Sequence, residues 1–321
     1  MMMAFFLFGG LLLAWAFGRN NFSNVFGSAV GTGILSFRLA AFLTGTFLLI
    51  GALLNGSGTS NTLSSLVHFM TLSEVFFFSL IVAVMMLVLT YRGIPASVAQ
   101  ISIGTLVGWN LALNIPIMWD KITSIILGWI YSPLIAFTIS FIIFKMARFY
   151  LKYVPVPILY RDMRVRLLWI IVGSFTAYSL GANNMPLLTI SYSEVVPEIS
   201  KTITILFSIV AGVGCLFASQ KVIQMISSKL FPLSSLESLI VSFSSALTLL
   251  LFSFQNGFLP ALPISISAAM IGAIVGVSLA KGGYGLRIGS LLVIVFSWIW
   301  APLFSGMLSY MFILLMSFWG I

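Results

Sequence analysis

The chain has 321 residues, of which 60% are hydrophobic and only 7% are charged. Soluble domains carry about 25% charged residues, so this composition excludes a soluble protein and predicts an integral membrane protein. The formal net charge of +9 does not indicate nucleic-acid binding, because the basic residues do not form a soluble basic face. We attribute the basic excess to membrane lipid with anionic headgroups.

Apolar stretches that can cross a hydrocarbon core of about 30 Å recur along the whole chain. The first run lacks a charged start and a small-residue cleavage site, so we interpret it as a retained helix. It leads into GRNNFSNVFGSAVGTG at 18–33, which is rich in asparagine and glycine. This composition predicts an interrupted helix. Interrupted backbone in lipid must be satisfied by protein or water, so the interruption is expected to line a cavity or a protein contact.

A basic segment divides the chain. Six of the fifteen Lys and Arg residues lie between positions 145 and 166, whereas the segment 55–65 has no charge. The positive-inside tendency predicts a basic cytoplasmic loop at 148–165, in a multi-pass protein of the plasma membrane, with 55–65 on the opposite side. The predicted domains are a first transmembrane repeat at 1–147 and a second at 166–321.

Three sequence features recur in the same order in the two halves. GRNN at 18–21 is repeated as GANN at 181–184, an offset of 181 − 18 = 163. GIPASVAQISIGTLVG at 93–108 matches LPISISAAMIGAIVG at 262–276, and their prolines differ by 263 − 95 = 168. WIYSPL at 129–134 matches WIWAPL at 298–303, an offset of 298 − 129 = 169. These similar offsets indicate an internal duplication.

The duplication predicts the fold class. Duplicated helical halves with interruptions at matching positions are typical of secondary transporters, in which the interruptions form a site near the bilayer midplane. We therefore predict an all-α polytopic membrane protein of two inverted-topology repeats with broken helices, about ten to twelve helical segments and five crossings per half. Pro95–Gly108 and Pro263–Gly276 are short for full spans, so we interpret them as two re-entrant hairpins.

The repeated residues resemble the signatures of the inorganic phosphate transporter (PiT) family. GRNNFSNVFG at 18–27 and GANNMPLLTI at 181–190 are similar to GANDVANAFG, and PASVAQISIG at 95–104 and PISISAAMIG at 263–272 are similar to a PVSTTH pattern followed by spaced glycines. The resemblance implies phosphate transport, symport with Na⁺ or H⁺ as coupling ion, and a homodimer. The chain departs from the pattern at Asn21 and Asn184, where the family has aspartate.

Polar residues in these signatures are the predicted anion ligands. Asn20 and Asn24 are four residues apart and share a helical face, while Asn184 and Pro186 are typical of a half-helix start. Helix N-termini, amides and hydroxyls all donate to oxyanions. The alternative is that these side chains assist helix packing or bond to their own backbone. The predicted anion-binding residues are Asn20, Asn24, Ser97, Gln100, Asn183, Ser265 and Ser267.

A second set of residues is predicted to bind a coupling ion or to compensate charge. Asn21 and Asn184 offer only neutral oxygens, so a sodium site there is expected to be weak. Arg19 is a fixed cation beside the anion site or, alternatively, extends to a lipid headgroup. Glu74 and Glu237 are candidate cation or proton sites, although each also completes a capping box with a Thr or Ser three residues earlier.

These features predict a secondary-active transporter of a tetrahedral inorganic oxyanion, working by alternating access. Inorganic phosphate comes first because the resemblance covers both halves. Sulfate permeation by the same fold is the alternative, because neither signature contains a carboxylate to face the phosphate hydroxyl. A transport-inactive membrane sensor or scaffold is a second alternative. An enzyme is disfavoured, since neither an HExxH motif nor a Walker loop occurs, and no cofactor or metal is expected beyond the coupling ion.

Overall fold

The computed structural model describes residues 2–69, 71–153, 158–254, 259–283 and 285–318. Within these ranges the chain is helical, with a short 3₁₀ turn at Pro197–Ile199 and a π-helical turn at Met225–Lys229. The α-helices are α1 Met2–Val25, α2 Gly27–Gly31, α3 Phe37–Asn55, α4 Ser57–Ser64, α5 Leu72–Arg92, α6 Val98–Ala112, α7 Trp119–Tyr153, α8 Ile158–Val195, α9 Ser200–Cys215, α10 Gln220–Gln224, α11 Ser235–Leu251, α12 Ile266–Lys281 and α13 Ile288–Phe318.

Six of the described helices are long and apolar enough to cross a membrane: α3, α5, α7, α8, the segment containing α9, and α13. The helices α6, α11 and α12 are apolar but shorter, at 15, 17 and 16 residues. The polytopic all-α fold predicted from composition is therefore confirmed.

The interruption predicted within 18–33 lies after the asparagine pair and not at it, and the interruption predicted at GANN is wrong. Helix α1 continues through Asn20 and Asn21 and ends at Val25, where Phe26 leaves helical geometry before the short helix α2. Helix α8 continues through Asn184 and contains Pro186 in its interior, so Asn184 does not cap a half-helix. Side-chain contacts explain the continuity, because the asparagine amides bond to neighbouring segments and leave the helix intact.

The predicted basic loop at 148–165 is largely helical. Helix α7 extends to Tyr153 and α8 begins at Ile158, and the intervening 154–157 lie outside the described residues. At about 1.5 Å per residue, the 35 residues of α7 measure about 52 Å, well beyond a hydrocarbon core of about 30 Å. The basic residues Lys145, Arg148, Lys152, Arg164 and Arg166 are exposed on these helix ends.

Each Pro-Ser segment is an extended arm followed by a helical arm. Residues 94–97 and 260–265 are non-helical and lead directly into α6 and α12. Ser97 and Ser265 are the N-cap residues of these helices, at the point where each extended arm ends and its helix begins. Re-entry of these segments into a membrane stays a prediction.

Each half contributes one short helix that packs against a long helix of the other half. Helix α6 of the first half packs on α13 of the second, and α12 of the second half packs on α7 of the first. A Cβ atom on Gly104 would lie 2.2 Å from the carbonyl oxygen of Pro302, and one on Gly272 would lie 2.1 Å from that of Pro133. Only glycine permits this backbone approach. These two contacts are separated by 168 and 169 residues, the offsets of the sequence repeat, whereas the inverted orientation of the halves stays a prediction.

Candidate anion-binding site

Asn20 and Asn183 each fix one extended arm to a long helix. The Asn20 amide donates to Thr90 Oγ1 at 2.7 Å and to the Ile94 carbonyl at 3.4 Å, and its oxygen accepts from Ala96 N at 3.0 Å. Both amide hydrogens of Asn20 are therefore committed to protein acceptors. This arrangement positions the chain just before α6.

The same three bonds recur around Asn183. Its amide donates to Ser253 Oγ at 3.3 Å and to the Leu262 carbonyl at 2.9 Å, and its oxygen accepts from Ile264 N at 2.9 Å. Each partner is the residue that the repeat offsets of 163 and 168 predict from the Asn20 set. The structure thus gives both asparagines a positioning role, while direct anion contact by Asn20 and Asn183 stays a prediction.

Helices α6 and α12 begin with matching serine caps. Ser97 Oγ accepts from Gln100 N at 3.3 Å, and Ser265 Oγ accepts from Ala268 N at 3.1 Å. The first four backbone N–H groups of a helix have no partner within the helix, and a cap of this kind satisfies one of them. The remaining N–H groups give each helix start the partial positive charge that suits an anion.

Asn24 and Ser267 bring the two helix starts together. The Asn24 amide donates to Asn21 Oδ1 at 3.1 Å and to Ser267 Oγ at 3.3 Å, and Ser267 Oγ donates to the Ala96 carbonyl at 3.4 Å. Ser267 lies in the first turn of α12 and Ala96 lies just before α6. Helix α1, the start of α12 and the arm before α6 therefore meet at one buried point.

Two amide oxygens, one on α1 and one in the first turn of α6, have no hydrogen-bond partner among the described residues. Asn24 Oδ1 and Gln100 Oε1 are buried and unpaired, on side chains that are 0% and 3% exposed. Buried polar atoms are paired in the great majority of cases, and leaving one unpaired costs about 1–3 kcal/mol. These oxygens are acceptors only, so they require a donor or a cation.

Asn21 and Asn184, the residues at the family's aspartate positions, are buried and bonded within the protein. Asn21 Nδ2 donates to the Phe17 carbonyl at 3.1 Å, and Asn184 Nδ2 donates to the Ile264 carbonyl at 2.9 Å. Among the described residues, no group of three or more His, Cys, Asp and Glu side chains could hold a metal ion. A role for Asn21 and Asn184 in binding a coupling ion stays a prediction.

The Arg19 side chain packs on Trp15, and its buried Nε has no hydrogen-bond partner among the described residues. Its guanidinium carbon lies 5.2 Å from the centre of the Trp15 ring, and its carbonyl accepts from Ser219 N at 3.2 Å. The cation–π contact supplies part of the stabilisation that a partly buried arginine needs. Any effect of Arg19 on a bound anion would therefore act through space.

Glu74 and Glu237 form the capping boxes that their spacing predicts. Thr71 and Glu74 bond reciprocally at the start of α5, and Ser234 and Glu237 do so at the start of α11. Glu237 also pairs with Lys281 at 2.8 Å. The capping interpretation is confirmed, and a part in ion coupling stays a prediction.

Sequence reasoning missed the hydroxyls that hold the asparagines. Thr90 and Ser253 lie 253 − 90 = 163 residues apart, the same offset as the asparagine pairs. An alignment of the two halves extended beyond the signatures would have found them. The packing of α6 on α13 and of α12 on α7 cannot be found in this way, because it produces no pattern in the local sequence.

These features define a polytopic α-helical membrane protein with a buried, amide-lined site between two related halves. The sequence profile of the Phosphate transporter family matches residues 17–260, which is most of the chain. The chain therefore belongs to the Phosphate transporter family.

Two archaeal relatives cover almost the full length. The chain is 27% identical over 296 residues to a protein of Methanocaldococcus jannaschii named "Putative phosphate permease", with 91% of each chain covered. It is 22% identical over 387 residues to a protein of Pyrococcus abyssi with the same description, with 94% of each covered. These relatives agree with a transporter and not with an enzyme class.

A solved structure has a similar fold. The structure is described as the sodium-dependent phosphate transporter, and it superposes with a TM-score of 0.84 over 99% of this chain and 100% of its own. The sequence identity is 20%, so this likeness establishes the fold alone.

Proposed function

We propose that the protein transports inorganic phosphate across the membrane, as a secondary-active transporter that works by alternating access of its two halves. The family and the names of the relatives support the substrate. The matched contacts of Asn20 and Asn183 support two related bodies around one site. We place the protein in the plasma membrane as a homodimer, with the basic ends of α7 and α8 on the cytoplasmic side.

The unpaired side-chain oxygens of Asn24 and Gln100 determine the selectivity of the proposed site for phosphate over sulfate. At neutral pH phosphate keeps at least one hydroxyl, whereas sulfate has acceptor oxygens only. A buried acceptor therefore gains a bond from phosphate and stays unpaired with sulfate. The backbone N–H groups at the starts of α6 and α12 supply donors for the other anion oxygens.

Sulfate is the second candidate substrate. The donors at the site serve sulfate as well as phosphate, and an amide oxygen repels an anion less than a carboxylate does. We therefore expect sulfate to bind more weakly and still to compete when in excess. A sensor or scaffold without transport activity is the remaining alternative.

Uptake into proteoliposomes tests this proposal. The purified protein is reconstituted, and uptake of radiolabelled phosphate and of radiolabelled sulfate is measured under imposed gradients of Na⁺, of H⁺ or of phosphate alone. Saturable phosphate uptake with slower sulfate uptake supports the proposal. Faster sulfate uptake overturns the substrate assignment, and no uptake above empty liposomes, from protein that still binds phosphate, favours the sensor.

A further inference from the structure

A second polar cavity lies apart from Asn24 and Ser267. It has a volume of about 140 Å³, is partly open, and is lined by residues at the end of α3 and on α4, α8 and α9, with Pro186 among them. None of the described residues that line it is charged. Six hydroxyl groups do, those of Ser57, Ser60, Thr189, Ser193, Ser200 and Thr204.

The hydrogens of the hydroxyls on α8 and α9 are already committed. Thr189 Oγ1 lies 3.3 Å from the Met185 carbonyl, and Ser193 Oγ lies 3.0 Å from the Thr189 carbonyl. Thr204 Oγ1 lies 3.1 Å from the carbonyl of Ser200. A carbonyl only accepts, so each hydroxyl must be the donor in these contacts.

Ser200 completes the set. Its Oγ lies 2.8 Å from Ser193 Oγ. Because the Ser193 hydrogen points to a carbonyl, Ser200 donates to Ser193. Four of the six hydroxyls therefore have no hydrogen left for the cavity and offer it only lone pairs. A lining of this kind suits a cation better than an oxyanion.

Other charges near the cavity nearly cancel. Helices α3 and α8 end beside it and contribute partial negative charge, while α4 and α9 begin beside it and contribute partial positive charge. The adjoining segment carries Glu194, Glu198 and Lys201, all exposed. The hydroxyl oxygens therefore decide which ion the cavity accepts.

The equivalent space in the first half is filled. The repeat offset of 163 relates Met185 to Phe22, Thr189 to Phe26 and Ser193 to Val30. Phe22 and Phe26 are fully buried. The repeat therefore does not duplicate the hydroxyls that α8 contributes to the cavity, and Val30 offers a matched control position for Ser193.

We propose that this hydroxyl-lined cavity binds a monovalent cation, for which Na⁺ is the probe. Hard cations bind neutral hydroxyl and carbonyl oxygens, and divalent ions additionally favour the carboxylates that the lining lacks. Neutral ligands make the site weak, with half-saturation in the millimolar range or above. The binding does not depend on phosphate, so this proposal stands or falls separately from the transport proposal.

Charged thiol reagents test whether the cavity favours cations over anions. Ser193→Cys and, as control, Val30→Cys are each made in a Cys215→Ser background, and the purified protein is treated with a cationic or an anionic methanethiosulfonate reagent. We expect the cationic reagent to modify Ser193→Cys several-fold faster than the anionic one, relative to the same ratio at Val30→Cys. NaCl should slow this modification more than choline chloride of equal ionic strength does. Equal rates, or protection by phosphate instead of Na⁺, overturn the proposal.

Direct binding of radiolabelled Na⁺ to the purified protein gives a second measurement. Thr204→Val removes one cavity oxygen, and Thr44→Val removes a hydroxyl that bonds in the same way to a carbonyl four residues earlier, at 2.8 Å from Ala40, away from the cavity. Na⁺ binding should fall several-fold in Thr204→Val and stay unchanged in Thr44→Val, with both variants eluting as folded protein. Equal binding by both variants and by the wild type overturns the proposal.

Discussion

The side-chain nitrogen of Asn24 lies 3.3 Å from the hydroxyl of Ser267, and this contact joins α1 of the first half to the start of α12 in the second. The repeat offsets relate this pair to Leu187 and Ala99, which are both apolar. The helices therefore recur in both halves, whereas the polar contact between Asn24 and Ser267 occurs once. From this asymmetry we predict a single anion site in each chain.

Gln100→Leu is expected to weaken phosphate binding. The change removes a buried, unpaired acceptor and keeps a side chain of similar size, so the loss is one hydrogen bond, about 1 kcal/mol or roughly fivefold in affinity. Competition between labelled phosphate and unlabelled sulfate measures the effect. Sulfate should become the relatively stronger inhibitor, from mildly acidic to mildly alkaline pH.

Ser102→Ala provides the control for Gln100→Leu. Ser102 is also buried on α6 with an unpaired oxygen, two residues beyond Gln100, and we assign it no anion contact. Its removal should leave the balance between phosphate and sulfate unchanged. A phosphate affinity that is unaltered in Gln100→Leu would contradict the role of this acceptor.

The sodium dependence of uptake should be shallow in the wild type and steeper in Asn21→Asp. Carboxylates bind hard cations more tightly than amides do. An aspartate can still accept the bond that the Asn24 amide now donates to Asn21 Oδ1, whereas the bond from Asn21 Nδ2 to the Phe17 carbonyl is lost. The initial rate of phosphate uptake as a function of Na⁺ measures the change, with Asn184→Asp as the equivalent variant in the second half. A steep wild-type dependence that Asn21→Asp leaves unaltered would show that sodium binds elsewhere.

Several parts of the fold could be predicted from the sequence. The offsets near 163 and 168 predicted the relation between Asn20 and Asn183, and the Thr-x-x-Glu and Ser-x-x-Glu spacings predicted both capping boxes. Glycine and asparagine in GRNN and GANN misled the prediction of interrupted helices, because their tertiary partners Thr90 and Ser253 are distant in sequence. Local propensity does not contain that information.

The prediction of a loop at 148–165 was wrong for a related reason. The basic residues between positions 145 and 166 predicted a loop, but α7 and α8 continue through most of this segment as helices. The hydroxyl-lined cavity was also missed, since its hydroxyls lie on α4, α8 and α9, and α4 is more than a hundred residues from the other two in the sequence. Only the packing of α4, α8 and α9 brings them together.

Arg19→Met is expected to weaken phosphate affinity modestly, by less than about tenfold. The guanidinium stacks on Trp15 at 5.2 Å, so its charge reaches the anion only through space, and such effects shrink as salt rises. Binding of labelled phosphate at low and high ionic strength tests this expectation. Trp15→Leu, which removes the ring and keeps the charge, should have the smaller effect, and an unchanged affinity in Arg19→Met would leave the arginine with a structural role only.

Gly104→Ala and Gly272→Ala should each destabilise the protein strongly. An added methyl group would lie 2.2 Å from the Pro302 carbonyl in one case and 2.1 Å from the Pro133 carbonyl in the other, so α6 must separate from α13, or α12 from α7. Overpacking of this kind typically costs about 1–3 kcal/mol, and more where backbone must shift.

Gly289→Ala is the matched control, because Gly289 also lies in an α-helix and no atom lies within 4 Å of the added carbon. At that position alanine is the better helix former. Thermal unfolding of the purified protein in detergent should therefore shift downward by several degrees in the first two variants and not in the third. Because the contacts of Gly104 and Gly272 are equivalent, the two losses should be similar in size, and a large loss in only one of them would contradict the equivalence of the two exchanged helix pairs.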